Sequence, residues 1–483
     1  MIPTFSKWQA RLWPVQKTEY GKLLPLLLMK FFASFNFAVL HAMKDTLIVT
    51  SKGSGAEVIP VLKGGFVLIF AFLAMIIYTK LSNILSRTKL FYTTIAPFLL
   101  FFVLYAFVLY PNRESLAPHA SADWLVSVLG KNREHFVAVY RYWTDALFFL
   151  MAELWGGIVI ALLFWGFANR INSLQEASRF YTLFSAGGHV GVICASPLIW
   201  FFATKYAGSN YGYTIQWLMS LVIFGTIAII TSFTFLNNRI EKVNETAKDP
   251  KPQESFKKSL AVVLRSPYLG CIALMVIGYG LSVNIIEVTW KAVLKLNYPL
   301  PSDYQAFMGI VSGVTGVVSF LLALFVGGNL IRNFGWYKSA LATPLILGLA
   351  TALFLTTYFL FPSLLIVTGT LNLIVLTGAI HNILCKSMKY CLFDPTKEMA
   401  YIPLDPETQT KGKAAVDVVA ARFGKSGSSW LQAGLLELLA TSSILSITPY
   451  LAPFVLLALA AWLLGIRYLR TPTLQDSASV STP

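Results

Sequence analysis

Runs of apolar residues long enough to cross a bilayer recur along this chain from one end to the other. A helix of about 20 apolar residues spans the hydrocarbon layer and satisfies its own backbone N–H and C=O groups. About 12 such runs can be drawn, at 23–50, 60–79, 90–110, 143–168, 181–203, 213–236, 268–294, 306–330, 339–360, 363–385, 414–440 and 444–466. Composition agrees, because only 12% of the 483 residues are charged and 56% are hydrophobic. A soluble domain carries about 25% charged residues. The expectation is an all-α polytopic membrane protein. The weakest run is 414–440, which Arg422, Gly424, Lys425 and Gly427 interrupt.

The formal net charge is +16, from 38 Lys+Arg against 22 Asp+Glu. With the N-terminus inside, about 25 of the 38 cations fall in the segments on the inner side and about 8 on the outer side. That is the bias by which membrane proteins orient, so the charge needs no nucleic-acid partner. The stretch "MIPTFSKWQARLWPVQK" carries Lys7, Arg11 and Lys17 and shows no short apolar region with a cleavage site. It reads as a cytoplasmic leader to the first span. The C-terminal tail then also falls on the cytoplasmic side. Cys194, Cys271, Cys385 and Cys391 are scattered, form no CxxC or metal-ligand spacing, and read as packing residues outside any disulfide.

The longest polar stretch, "NRIEKVNETAKDPKPQESFKKSLAVVLRS", divides the spans into six and six. The expected organisation is a six-helix bundle over 1–240, a cytoplasmic linker over 241–267, a second six-helix bundle over 268–470 and a tail over 471–483. Six plus six with a cytoplasmic linker is the layout of major-facilitator transporters, whose bundles rock about a site near the midplane.

A charge at the centre of a spanning helix costs roughly 2.5–3.5 kcal/mol on insertion scales, so it tends to face a cavity or a partner. The cations in spans are Lys30, Lys44, Lys291, Arg422 and Lys425; the acids are Asp45, Asp145, Glu153, Glu287, Asp417 and Glu437. Lys30 can snorkel, Glu437 lies near a helix end, and Asp145 sits near a helix start, where the dipole favours an acid. Glu153 has apolar residues on both sides for more than a turn. Glu287 and Lys291 are four apart and share a helix face, which permits an internal ion pair as well as a binding role. Lys44 and Asp45 are adjacent, so they are expected to point in different directions and not to neutralise each other. Lys44, Glu153 and Glu287 are the favoured functional residues. His189 and His381 stand alone on apolar helices and read as packing or hydrogen-bonding residues.

The segment "KGKAAVDVVAARFGKSGSSW", starting at Lys411, mimics a phosphate-binding loop. A P-loop needs a glycine five residues before its Gly-Lys pair, and that place is Val419. What is left is a cation-rich, Gly-loosened stretch carrying Lys411, Lys413, Arg422 and Lys425. Loosened helices are where transporters offer backbone and cations to anions, and several cations suit a polyanion such as a triphosphate.

Five stretches form a recognisable set: "KDTLIVTSKGSGAEVIPVLK" from Lys44, "AELWGGIVIALLFWGFAN" from Ala152, "EVTWKAVLK" from Glu287, "KEMAYIPLD" from Lys397 and "KGKAAVDVVAARFGKSG" from Lys411. In these the chain resembles the ATP/ADP translocases, nucleotide transporters of plastids and obligate intracellular bacteria. The resemblance implies about 12 helices of major-facilitator type and nucleotide transport without hydrolysis, host ATP entering in exchange for ADP. The family's functional lysine in the KDTL motif falls on Lys44, its acids in AELWG and EVTW on Glu153 and Glu287, and its KGKAA lysines on Lys411 and Lys413. One departure is "FYTLFSAGGHVGV", where Ser185 and His189 replace an expected F-G-x-G-A-N pattern.

The expectation is therefore a transporter, not an enzyme, with no cofactor and no metal, working by alternating access in a bacterial inner membrane. Its partners are the nucleotide and the lipid bilayer. Lys44, Lys291, Arg422 and Lys425, with Lys411 or Lys413, are expected to neutralise phosphates, and Asn284 to hydrogen-bond ribose or phosphate. Glu153 and Glu287 are expected to pair with these cations when no substrate is bound. One alternative is proton-driven import of GTP, UTP or mixed nucleotides, with Glu153, Glu287 or His189 carrying the proton. Another is a membrane-embedded enzyme acting on phosphates, which would need a nucleophile or metal constellation that the sequence does not display.

Overall fold

The computed structural model describes residues 15–207, 210–240, 266–360, 368–404, 416 and 420–470. Lys411, Lys413, Asp417 and most of the expected linker lie outside the described residues. Among the described residues are 11 helices long and apolar enough to cross a membrane. We label them α1 (Lys17–Thr50), α2 (Val58–Ile84), α3 (Arg87–Leu109), α4 (Trp143–Ile171), α5 (Arg179–Lys205), α6 (Gly212–Arg239), α7 (Pro267–Asn297), α8 (Pro301–Val326), α9 (Asn329–Leu360) and α10 (Leu371–Met399). The polar helix α11 (Ala421–Leu438) comes next, followed by α12 (Ile444–Tyr468). Helix α11 completes the expected twelve but is too rich in Ser, Gly and cations to qualify as an apolar span by itself.

Local chemistry sets the helix starts. The helical run containing α5 is capped by Ser173, whose hydroxyl accepts from the Glu176 N–H while the Glu176 carboxylate returns to the Ser173 N–H. Helix α7 begins with the Ser266 hydroxyl accepting from Leu269 N–H and with Pro267 in the first turn, where a missing N–H costs nothing. Outward-facing leucines such as Leu349 (73% exposed) and Leu100 (71%) lie on helices long and apolar enough to span a bilayer, where lipid is the medium that suits them. Helix α10 runs fourteen residues beyond the predicted end at 385 and carries "KSMKYCLFDPTKEM" inside the helical rod.

Helix α1 is the hub of the first half and packs on α4, α5 and α6; α7 takes the same part in the second half, against α10, α11 and α12. The halves meet through α5 on α8, α1 on α8, and α2 on α11. They are pinned at the face remote from the termini. There Arg133 pairs with Glu437 at 3.0 Å, the Lys295 ammonium donates to the Ser54 carbonyl, and the Tyr211 hydroxyl donates to Gln305. Every α1 residue from Ala42 to Val49 is buried, whereas Lys30, Phe37 and His41 below them keep part of their surface. The pathway between the halves is therefore closed on the remote face.

Among the described residues, wide π-helical turns occur at Leu62–Val67 in α2, Gly156–Phe164 in α4 and Lys389–Phe393 in α10. The first contains Lys63; the other two begin three residues after Glu153 and Lys386. Such turns concentrate at functional sites.

Candidate functional site

The buried charges assemble into one chain of alternating sign across both halves. From α1, Lys44 is fully buried, with its ammonium 2.8 Å from Asp45 Oδ1 and 3.0 Å from Glu153 Oε1 of α4. The Glu153 Oε1 atom accepts no hydrogen bond, so the two side chains meet as an ion pair. The second Asp45 oxygen is 2.8 Å from Lys291 of α7. Lys291 also pairs with Glu287 at 3.2 Å, and Glu287 accepts from Lys386 of α10 at 3.2 Å. The order is Glu153–Lys44–Asp45–Lys291–Glu287–Lys386. Removing one partner from a buried pair costs about 3–5 kcal/mol because the other is left uncompensated. Alternation keeps every charge in the chain neutralised.

The expectation that Lys44 and Asp45 diverge and leave each other unpaired is corrected here. Their Cα–Cβ bonds do diverge, but the four-carbon lysine stem folds back to its neighbour's carboxylate. Asp45 thereby has one oxygen for its own helix and one for the other half. The Lys44 ammonium also sits 4.2 Å from the centre of the Phe149 ring, a cation–π contact.

Beside this chain lies a second, cation-rich layer. Lys63 of α2 donates to the Asn284 side-chain carbonyl at 2.9 Å. The Asn284 amide donates to the Ser428 hydroxyl at 2.7 Å, and Ser428 in turn donates to the Lys425 carbonyl at 2.6 Å. Asn284 is thus the joint between α2, α7 and α11. Gly280 and Gly424 let α7 and α11 touch backbone to backbone, since a Cβ added at either would meet the other at 3.2 Å. The Lys425 side chain is exposed, within electrostatic reach of Glu153, and no carboxylate pairs with it among the described residues. Arg422, one turn nearer the termini face, lies 5.5 Å from the Phe72 ring of α2.

The structure thus brings Lys44, Glu153, Asn284, Glu287, Lys291 and Lys425 together. Arg422 stands one turn away, and Lys411 and Lys413 lie outside the described residues. Three further residues belong to the centre. Lys63 sits inside the predicted span 60–79, and the rule that selects charges within apolar runs applies to it equally. Lys386 falls one residue past the predicted end of its span. Asp45 is visible in sequence as a buried acid, but its bridging role depends on the approach of α7. The remaining charges find local partners: Asp145 accepts from the Tyr105 hydroxyl at 2.8 Å, and Lys30 lies over Phe164 and Trp165. His381 meets Thr351 at 3.1 Å, and His189 meets the Tyr390 ring edge-on at 5.6 Å. All four cysteines are free.

Among solved structures, a bacterial homologue of the iron transporter ferroportin in its inward-facing state matches 93% of this chain and 97% of its own, with a TM-score of 0.59 at 16% identity. That likeness gives the major-facilitator-like fold. In sequence the chain is 45% identical to ADP,ATP carrier protein 1 of Chlamydia pneumoniae, over 98% of this chain and 95% of that one. It is 39% identical to the chloroplastic ADP,ATP carrier protein 1 of Arabidopsis thaliana, over 95% of this chain and 75% of that one. The family model of the TLC ATP/ADP transporters matches residues 2–472, so a charged centre shared between two six-helix halves here belongs to a member of the TLC ATP/ADP transporter family.

Proposed function

We propose that this protein exchanges ATP for ADP across a membrane by alternating access, with the charged centre as the phosphate site. One observation carries the reading: the alternating chain from Glu153 to Lys386 links the two halves and is neutral by itself, while further cations stand beside it. The centre holds five lysines, Lys44, Lys63, Lys291, Lys386 and Lys425, against three carboxylates, and Arg422 adds one more cation a turn away. The surplus of three suits a nucleoside di- or triphosphate, which carries about three to four negative charges when its terminal phosphate, with a pKa near 6, is ionised.

In the mechanism, phosphate oxygens compete with Glu153, Asp45 and Glu287 for the lysines. Asp45 and Lys291 hold α1 to α7 on the remote side. A phosphate that takes Lys291 or Lys44 removes the reason for that clasp, and the halves can part there. The substrate drives switching through its different affinity for the two states. An empty carrier must instead separate a buried Asp45–Lys291 pair with nothing to replace it, which slows reorientation without cargo and favours exchange. The resemblance of the KGKAA motif keeps Lys411 and Lys413 as further candidates for phosphate contacts. The cation bias of the connections supports an orientation with both termini cytoplasmic.

The test is uptake of labelled ATP into proteoliposomes holding the purified full chain, with and without internal ADP and with a protonophore. Exchange predicts uptake that depends on internal ADP and ignores the protonophore. Uptake abolished by the protonophore and indifferent to internal ADP would favour proton-driven import and overturn exchange.

A further inference from the structure

Below the charged centre, one face of α1 continues toward the termini as Lys44, His41, Phe37, Ser34 and Lys30, at alternating steps of three and four residues. Within this stripe Phe37 and His41 keep part of their surface, although Ala38, Val39, Leu40 and Ala42 around them are buried. The two rings lie against each other, centroids 4.2 Å apart. The His41 ring nitrogens make no hydrogen bond among the described residues.

Helix α4 supplies the facing wall. Gly156 and Gly157 stand one turn below Glu153, on the side from which Glu153 reaches Lys44. A Cβ on Gly156 would meet the Phe37 ring at 3.0 Å, so that glycine is needed for the ring to lie where it does. A Cβ on Gly157 would meet nothing within 4 Å, and the residue is exposed. The Trp155 indole N–H, donating to the Ala33 carbonyl at 2.9 Å, fixes α4 against α1 at this level. The helix also widens into its π-helical turn here, from Gly156 to Phe164. An aromatic floor, an unpaired polar ring edge and open space opposite thus occur together.

We propose that Phe37 and His41, with Gly156 and Gly157, form the platform that receives the base of the transported nucleotide. This inference rests on the function proposed above. Bases of any identity stack on aromatic rings, and a ring nitrogen that can donate or accept reads the base edge. Phe37 is seven residues from Lys44, about 10 Å along the helix at 1.5 Å per residue. That distance suits a nucleotide lying along α1 with its phosphates at the closed end and its base toward the termini. The wide turn gives the base room that a regular α4 would fill.

The experiment separates the base from the phosphates. Thermal stabilisation of the detergent-purified full chain is titrated with ATP, ADP and inorganic tripolyphosphate, in wild type and in Gly157→Leu. The leucine side chain occupies the open space. Half-stabilising ATP and ADP concentrations should rise about tenfold or more, the loss of one stacking contact, while the tripolyphosphate value stays within about twofold. An unchanged ATP value, or an equal shift for tripolyphosphate, overturns the platform. His41→Phe covers the case in which Gly157→Leu does not fold. It keeps the stacking surface and removes the polar edge, so the ranking among ATP, GTP and CTP should change; an unchanged ranking overturns the role of His41. If wild type transports nucleotides and the variants behave as it does, only the platform falls. If wild type takes up no nucleotide, the function reading falls and the platform with it.

Discussion

Helices α1 and α7 open the two halves and carry their charges at the same height. Lys44 lies six residues before Thr50 at the end of α1, and Lys291 lies six before Asn297 at the end of α7. The spacing of the acid differs. In α7 the acid is Glu287, four residues before the lysine, and the pair closes within the helix at 3.2 Å. In α1 the acid is Asp45, the next residue, whose free oxygen reaches the opposite half. Each half thus places a cation at the centre, and of these two helices it is α1 whose carboxylate crosses to the other. Glu287 instead turns its charge toward Lys386 of α10. One hub helix clasps the other, while that helix keeps its acid at the proposed phosphate site.

The comparison can be broken most severely at Lys44. Lys44→Ala leaves Asp45 and Glu153 facing each other without their shared cation. Exchange in proteoliposomes should fall by about a hundredfold or more, the scale of 3–5 kcal/mol for an orphaned buried partner. Elution of the variant as a monodisperse species separates lost function from lost folding. Asp45→Asn should act differently from any change in α7. It weakens the clasp without removing a cation, so exchange should fall about tenfold while ATP uptake into ADP-free vesicles rises above the wild-type background. Unaltered dependence on internal ADP would show that Asp45 does not hold the empty carrier.

Glu287→Gln sharpens the contrast. With its acid gone, α7 offers Lys291 and Lys386 more freely to phosphates, so both the half-saturating ATP concentration and the maximal rate should fall by a fewfold. Tighter ground-state binding without a better transition state gives that signature. A raised half-saturating concentration would contradict it. The smallest effect belongs to Arg133→Ala. Its pair with Glu437 also joins the halves, but Arg133 is about half exposed, and exposed pairs contribute about 0–1 kcal/mol. Exchange should stay within about twofold of wild type, and the difference should vanish at high salt.

The residues of the site were unequally legible. Glu153, Glu287, Lys291 and Lys44 announce themselves as charges inside apolar runs, because lipid makes such placement costly and therefore informative. Lys63 meets the same criterion in the run 60–79. Lys386 does not, because it stands at a run's predicted end and only the continuation of α10 to Met399 keeps it inside the bundle. Asn284 carries no charge, so its sequence cue is only its place one turn before Glu287; its part as joint between Lys63 and Ser428 requires three helices to meet.

By itself the sequence determined the class of fold, an all-α protein of many membrane-spanning helices. Apolar run length and polar connections follow directly from the bilayer's thickness and from the need of each spanning backbone to satisfy itself. It also determined that several charges had to be sheltered together. Which charge pairs with which was decided by tertiary structure alone. An ion pair depends on approach within a few ångströms, and Asp45 and Lys291 are brought to 2.8 Å only where α1 meets α7. The GKSGSS stretch shows the same division: its sequence mimics a nucleotide loop, but its first glycine, Gly424, lets α11 lie backbone to backbone on α7.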